Sequence, residues 1–162
     1  MRTWHYQVHN QIQINAPIDR VYTTTSNPEV VPTYAPDIRR VELVEKLSNG
    51  EALVRSHLKV AGLSFVYLYR YRYHLPIYYG GVQERAPFVR GYFSFSFERR
   101  GEETVVSHTE GIMSRIPGLA TLLGIFYFHV LARDLIRKEL LRLRNLVENQ
   151  SVKEVVATPS SS

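Results

Sequence analysis

Between Ala52 and Met113 the chain alternates apolar and polar residues with a period of two, and after Pro117-Gly118 that period gives way to three- and four-residue spacing. Period two is the signature of half-buried strands, and three-to-four spacing is that of a helix. Several strands followed by one long helix predict an α+β domain with the helix laid across one face of the sheet.

The strands are read from the N-terminus onward. Tyr6, Val8, Asn10, Ile12 and Ile14 share one face of a first strand. Asn15-Ala16-Pro17 and then Asn27-Pro28-Glu29 open two short helices, since proline suits a first helical turn. A strand over Val41 to Val44 ends at Ser48-Asn49-Gly50, and a second covers Ala52 to Val60. In the next strand Phe65, Tyr67, Tyr69, Tyr71 and Tyr73 alternate with Val66, Leu68, Arg70, Arg72 and His74. Ile77 to Arg85 is a weaker strand. Arg90 to Arg99 places Phe93, Phe95 and Phe97 on one face, and Thr104 to Met113 completes the set at about seven strands. Glycines 62, 80, 81 and 91 are placed where a strongly curved sheet needs to bend.

One helix is predicted from about residue 118 to Asn149, in two halves. Leu119 to Leu131 is apolar almost all round, the pattern of a helix that is covered, or that covers something apolar. Arg133 to Glu148 is two-faced, with Arg133, Arg137, Lys138, Arg142 and Arg144 in solvent. A single domain over 1–150 and a flexible tail over 151–162 are expected. A curved sheet and a straight helix diverge at one end, and that space is either filled by side chains or left as a cavity.

The chain has no cysteine, which excludes disulfides, thiolate nucleophiles and cysteine-held metal. No phosphate loop, nucleophile elbow or metal-binding helix motif is present, so no cofactor and no metal is expected. The first residues lack a signal-peptide core. Residues 118–132 give an apolar run of about 15 against the roughly 20 that a spanning helix needs. A cytoplasmic protein is expected. The net charge of +5 is compatible with anionic partners without requiring them, and no oligomeric signal is visible.

Residues 12–22 (Ile-Gln-Ile-Asn-Ala-Pro-Ile-Asp-Arg-Val-Tyr) resemble the strand, Ala-Pro, helix opening of the START-like superfamily. That superfamily (SRPBCC) includes polyketide cyclases/dehydrases, lipid-transport proteins and coenzyme Q-binding proteins. Asn27-Pro28-Glu29 through Tyr34-Ala35-Pro36, Gly91-Tyr92-Phe93-Ser94-Phe95, Glu103-Thr104-Val105-Val106 and the last helix extend the likeness over about residues 4 to 149. The resemblance implies a helix-grip fold and a hydrophobic ligand such as a lipid, quinone, sterol or polyketide. Some members catalyse cyclisation or dehydration, but the matched motif carries no catalytic residue.

The candidate ligand-binding residues are Asn10, Ser56, Tyr67, Tyr69, Tyr71, Phe93, Phe95, His108, Leu122, Phe126 and His129. Aromatic walls with few polar groups suit a ligand site, and equally suit sheet packing. Asn10 and Ser56 are polar among inward-facing apolar residues. His108 and Glu110 share a face of the last strand. Facing inward they form an acid–base pair; burial statistics favour the outward, solvated alternative. His129 either projects into the cavity or packs at the surface. Phe126, Tyr127 and Phe128 with nearby cations offer transient membrane contact, against the more ordinary reading of a buried helix start. Three functions remain open: a carrier of a hydrophobic small molecule, a cyclase- or dehydratase-like enzyme, and an interaction module binding nucleic acid or protein through the Arg/Tyr strand. Nucleic acid is disfavoured because the helix must cover one sheet face.

Overall fold

The computed structural model describes residues 3–132 and 134–157, with side chains described through Gln150. Seven strands form one antiparallel sheet: β1 (Trp4–Ile14), β2 (Ile38–Lys46), β3 (Ala52–Val60), β4 (Leu63–His74), β5 (Tyr78–Gln83), β6 (Val89–Arg100) and β7 (Glu103–Ser114). Their order across the sheet is β1-β7-β6-β5-β4-β3-β2. Every connection from β2 to β7 is a hairpin, and the long excursion from β1 to β2 carries α1 (Ile18–Ser26) and α2 (Val31–Tyr34). That excursion puts the first strand and the second at opposite edges.

The expected C-terminal helix is present but not continuous. Leu119–Phe126 forms α3, Tyr127–Leu131 makes a π-helical turn, and α4 runs from Leu135 to Ala157. The two segments meet at 57°. The break falls between the two halves distinguished by their sequence patterns. Helix α4 also continues past the Asn149 end read from the sequence. Arg133 and residues 158–162 lie outside the described residues, as do the side chains of 151–157, so the expected solvation of Arg133 and the expected tail are not described further.

The main core joins α4 to the sheet. Leu140, Leu143 and Val147 are buried on one face of α4, in the same cluster as Ile14, Val21, Val54, Phe97 and Val106. Each such side chain contributes about 2 kcal/mol on leaving water. Tyr34 and Tyr79 both donate hydrogen bonds to the Thr25 carbonyl, at 2.5 and 2.9 Å. This ties α1, α2 and β5 together beneath the helix.

Helix α3 is fixed differently. Its buried residues are small, Ala120 and Gly124. A Cβ on Gly124 would lie 2.3 to 2.7 Å from atoms of the Tyr6 side chain, so only glycine lets α3 approach β1 this closely. Tyr6 then stacks with Phe128 and bonds His129 Nε2 at 2.7 Å. Gly124→Val is therefore expected to push α3 off β1 and to cost about 1–3 kcal/mol, read as a lower midpoint in urea unfolding.

Candidate functional site

A cavity of about 680 Å³ lies between the concave face of the sheet and the α3–α4 bend. Tyr67, Tyr69 and Tyr71 from β4 and Phe93 and Phe95 from β6 form its aromatic wall. Tyr71 and Phe93 pack edge-to-face at 5.1 Å, and Gly81 of β5 leaves room for both rings. Val31 and Tyr34 line it from α2, and Tyr127, Phe128 and Leu131 from the π turn.

One polar cluster interrupts this wall. His108 is only 1% exposed and stacks face to face on Phe95 at 3.9 Å, its cross-strand partner. Its Nε2 lies 3.8 Å from a Glu110 oxygen, and its Nδ1 lies 3.9 Å from a Glu139 oxygen. Both separations are slightly too long for direct hydrogen bonds, and Nδ1 is buried without a partner. Glu139 is buried on α4, whereas Glu110 keeps about a quarter of its side chain accessible and lines the cavity. Asp37 also lines it.

Burial sets the protonation of this cluster. Desolvation pushes the Glu110 carboxyl up to about 8, with Asp37 adding to the shift. Desolvation, then Glu110 and Asp37, raise Glu139 well above the ordinary carboxylate range. Desolvation, then His9, lower His108 to about 3. Near neutrality the site thus presents protonated carboxyls flanking a neutral imidazole, an arrangement of donors beside an acceptor. The same three side chains have ligand atoms all within 4.8 Å of one another, so they are also the group among the described residues able to hold a metal ion.

Seven of the sequence candidates line this cavity: Ser56, Tyr67, Tyr69, Tyr71, Phe93, Phe95 and His108. Ser56 is hydrogen-bonded to Tyr71. Four lie elsewhere. Asn10 is on the inner face of β1, but α4 covers that stretch, with Arg137, Leu140 and Arg144 beside it. Leu122 and Phe126 are on the outer side of α3, 68% and 54% exposed, because Ala120 and Gly124 take the inner side. His129 is exposed and held by Tyr6 at the surface. The π turn, wider than an α turn, carries Phe128 inward and leaves His129 outside. Two further expectations are corrected. His108 and Glu110 face inward, not into solvent. The apolar helix start is not covered: Leu122, Leu123, Ile125, Phe126, Val130 and Leu131 are all exposed.

Glu139 was missed, although a signal existed. It interrupts the stripe Ile136, Leu140, Leu143 at the spacing of a buried face. On the outer face of β4, Arg70 pairs with Glu84 and Glu51, and Arg72 with Glu51. These cations are already neutralised by neighbours.

No protein-family model and no curated protein matches the chain. Solved structures do. The aromatase/cyclase Zhui from Streptomyces sp. R1128 superposes with a TM-score of 0.75 at 19% identity, covering 91% of this chain and 96% of that one. A START superfamily protein from Mycobacterium smegmatis gives 0.71 at 15% identity, covering 91% and 99%. The di-domain aromatase/cyclase StfQ, from the steffimycin biosynthetic pathway, gives 0.73 at 13% identity; 91% of this chain matches 52% of it. The chain therefore has the START-like helix-grip fold, an α+β architecture.

Holding three ionisable groups neutral has a measurable cost. Above the unfolded value of 4.5, the unfolded chain releases the Glu110 proton while the folded chain keeps it to about 8, so stability falls as pH rises through that window. From pH 6.5 to 8 this amounts to about 2 kcal/mol, and Glu139 acts in the same direction. His108 acts oppositely, but only below 6.5, where the unfolded imidazole takes up a proton that the folded one refuses. Urea unfolding at pH 6.5 and 8.5 is expected to show this alkaline loss, and Glu110→Gln is expected to flatten it.

Proposed function

We propose that this protein binds one mostly apolar small molecule, with an oxygen of the ligand placed against His108, Glu110 and Glu139. The observation that carries this reading is a cavity of about 680 Å³ walled largely by aromatic rings, with a buried cluster of ionisable side chains on its wall. That volume falls within the usual range for small-molecule sites, and few polar groups in an apolar wall are what orient a ligand. Burying apolar ligand surface yields about 25 cal/mol per Å² before the costs of association, enough for a carrier without covalent chemistry. Glu110, which keeps about a quarter of its side chain accessible in the cavity, is the member of the cluster open to a hydrogen bond with a ligand hydroxyl or carbonyl oxygen. The assigned ligand contacts are Ser56, Tyr67, Tyr69, Tyr71, Phe93, Phe95 and His108, joined by Glu110 and Glu139.

A second reading is favoured by one specific feature, an acid beside a base. Neutral His108 can accept a proton from a carbon next to a ligand carbonyl, while protonated Glu139 gives one to a departing hydroxyl, which leaves as water. A proton then returns from His108 to Glu139. This is the chemistry of a cyclase- or dehydratase-like enzyme, and two of the structurally similar proteins, Zhui and StfQ, are aromatase/cyclases.

Native mass spectrometry of the purified protein is expected to show a co-purified apolar ligand. Titration with the fluorescent probe N-phenyl-1-naphthylamine is expected to saturate at one site, and Leu58→Trp, which fills part of the cavity, to weaken it about tenfold. An empty protein that also fails to bind the probe would sink the binding reading. The enzyme reading expects His108→Gln and Glu139→Gln to keep probe binding and lose turnover; the carrier reading expects no turnover to lose.

A further inference from the structure

The structure places most of its exposed large apolar side chains at one end of the sheet. Strand register defines that end: β1 begins there at Trp4, opposite Ser114 of β7, which also faces Val89 at the start of β6. On the far side of the same end, Val60 pairs with Leu63 at the β3–β4 turn. Three segments surround the cavity mouth here. Leu63, Phe65 and Val66 project from the β3–β4 hairpin, Phe88 from the β5–β6 loop, and Leu122, Phe126, Val130 and Leu131 from α3 and the π turn. Leu63 and Phe88 are 64% and 66% exposed. Lining residues from all three segments, such as Val66, Pro87 and Leu131, show that they border one opening.

Charge is distributed in the same pattern. Residues 58–68, 85–91 and 113–132 contain no Asp or Glu. Each contributes an exposed cation beside its apolar tip: Lys59, Arg85 and Arg115. Apolar area of this extent is rare on a monomer unless something covers it. A second copy docked face to face would set these cations against each other. An anionic bilayer meets both features, accepting apolar side chains below the headgroups and cations among them.

We propose that this end of the molecule docks on anionic lipid surfaces, with α3 lying in the interface and the cavity mouth against the bilayer. The inference rests on surface composition and goes beyond the ligand reading; it survives or fails apart from it.

Flotation of the full-length protein with phosphatidylcholine vesicles, with and without phosphatidylglycerol, tests the proposal. The protein is expected to float with the anionic vesicles. Phe126→Glu combined with Phe88→Glu is expected to reduce the bound fraction about tenfold or more. Lys59→Glu with Arg115→Glu is expected to reduce it about tenfold on anionic vesicles and little on neutral ones. All four side chains are exposed, so circular dichroism and N-phenyl-1-naphthylamine binding should be unchanged in these variants. No flotation, or flotation indifferent to both double variants, overturns the proposal. So does a dimer in sedimentation velocity that the apolar variants dissolve while vesicles go unbound.

Discussion

The packing of α4 on the sheet is the constraint from which the rest follows. Ile136, Leu140, Leu143 and Val147 bury a single stripe. Because that stripe anchors only the second part of the C-terminal segment, the first part is free to take another direction. It turns by 57° and is held by small residues against Tyr6. The cavity is the volume left between a sheet that keeps curving and a helix that has turned away. Close packing at one end and a void at the other are two results of the same geometry.

Glu139 sits at the junction of these regimes. One turn further along α4 it would face ordinary core; one turn earlier it would fall at the bend. Where it is, it faces His108 on β7 and is coupled electrostatically to Glu110 and Asp37. Burying that many ionisable groups without complete hydrogen bonding lowers stability, and apolar residues of similar size would fit a core better. Their presence points to a use for polarity at this point in an otherwise greasy space.

Much of the architecture was legible because strand alternation and turn residues are local signals. The β4 and β6 faces were read correctly, which brought Tyr67, Tyr69, Tyr71, Phe93 and Phe95 to one wall. The site was only half legible. His108 lines the cavity, but which face of β7 points inward depends on pairing with Asn10 and Phe95, a long-range fact. A uniform helical period does not show that the small residues Ala120 and Gly124, rather than Leu122 and Phe126, face inward on α3, nor that a π turn then leaves His129 outside. Glu139 was passed over because a charged residue within a two-faced helix reads as solvated unless its position in the stripe is counted. Burial of α3 was expected from composition, while the actual choice between covering and exposing it is made by the bend.

The position of the polar cluster along β7 has one more consequence. His108 and Glu110 lie inward of Ser114, where the strand reaches the mouth, and the lining beyond them is mostly aromatic and aliphatic, with Gln83 and Arg85 as polar exceptions. A ligand bound as proposed would go in oxygen first, with its hydrocarbon end trailing toward the opening. Under that proposal recognition would be stringent at the head and permissive at the tail, so chain length or branching far from the oxygen would be read weakly. A pocket used in that way would sort molecules by one functional group rather than by overall shape.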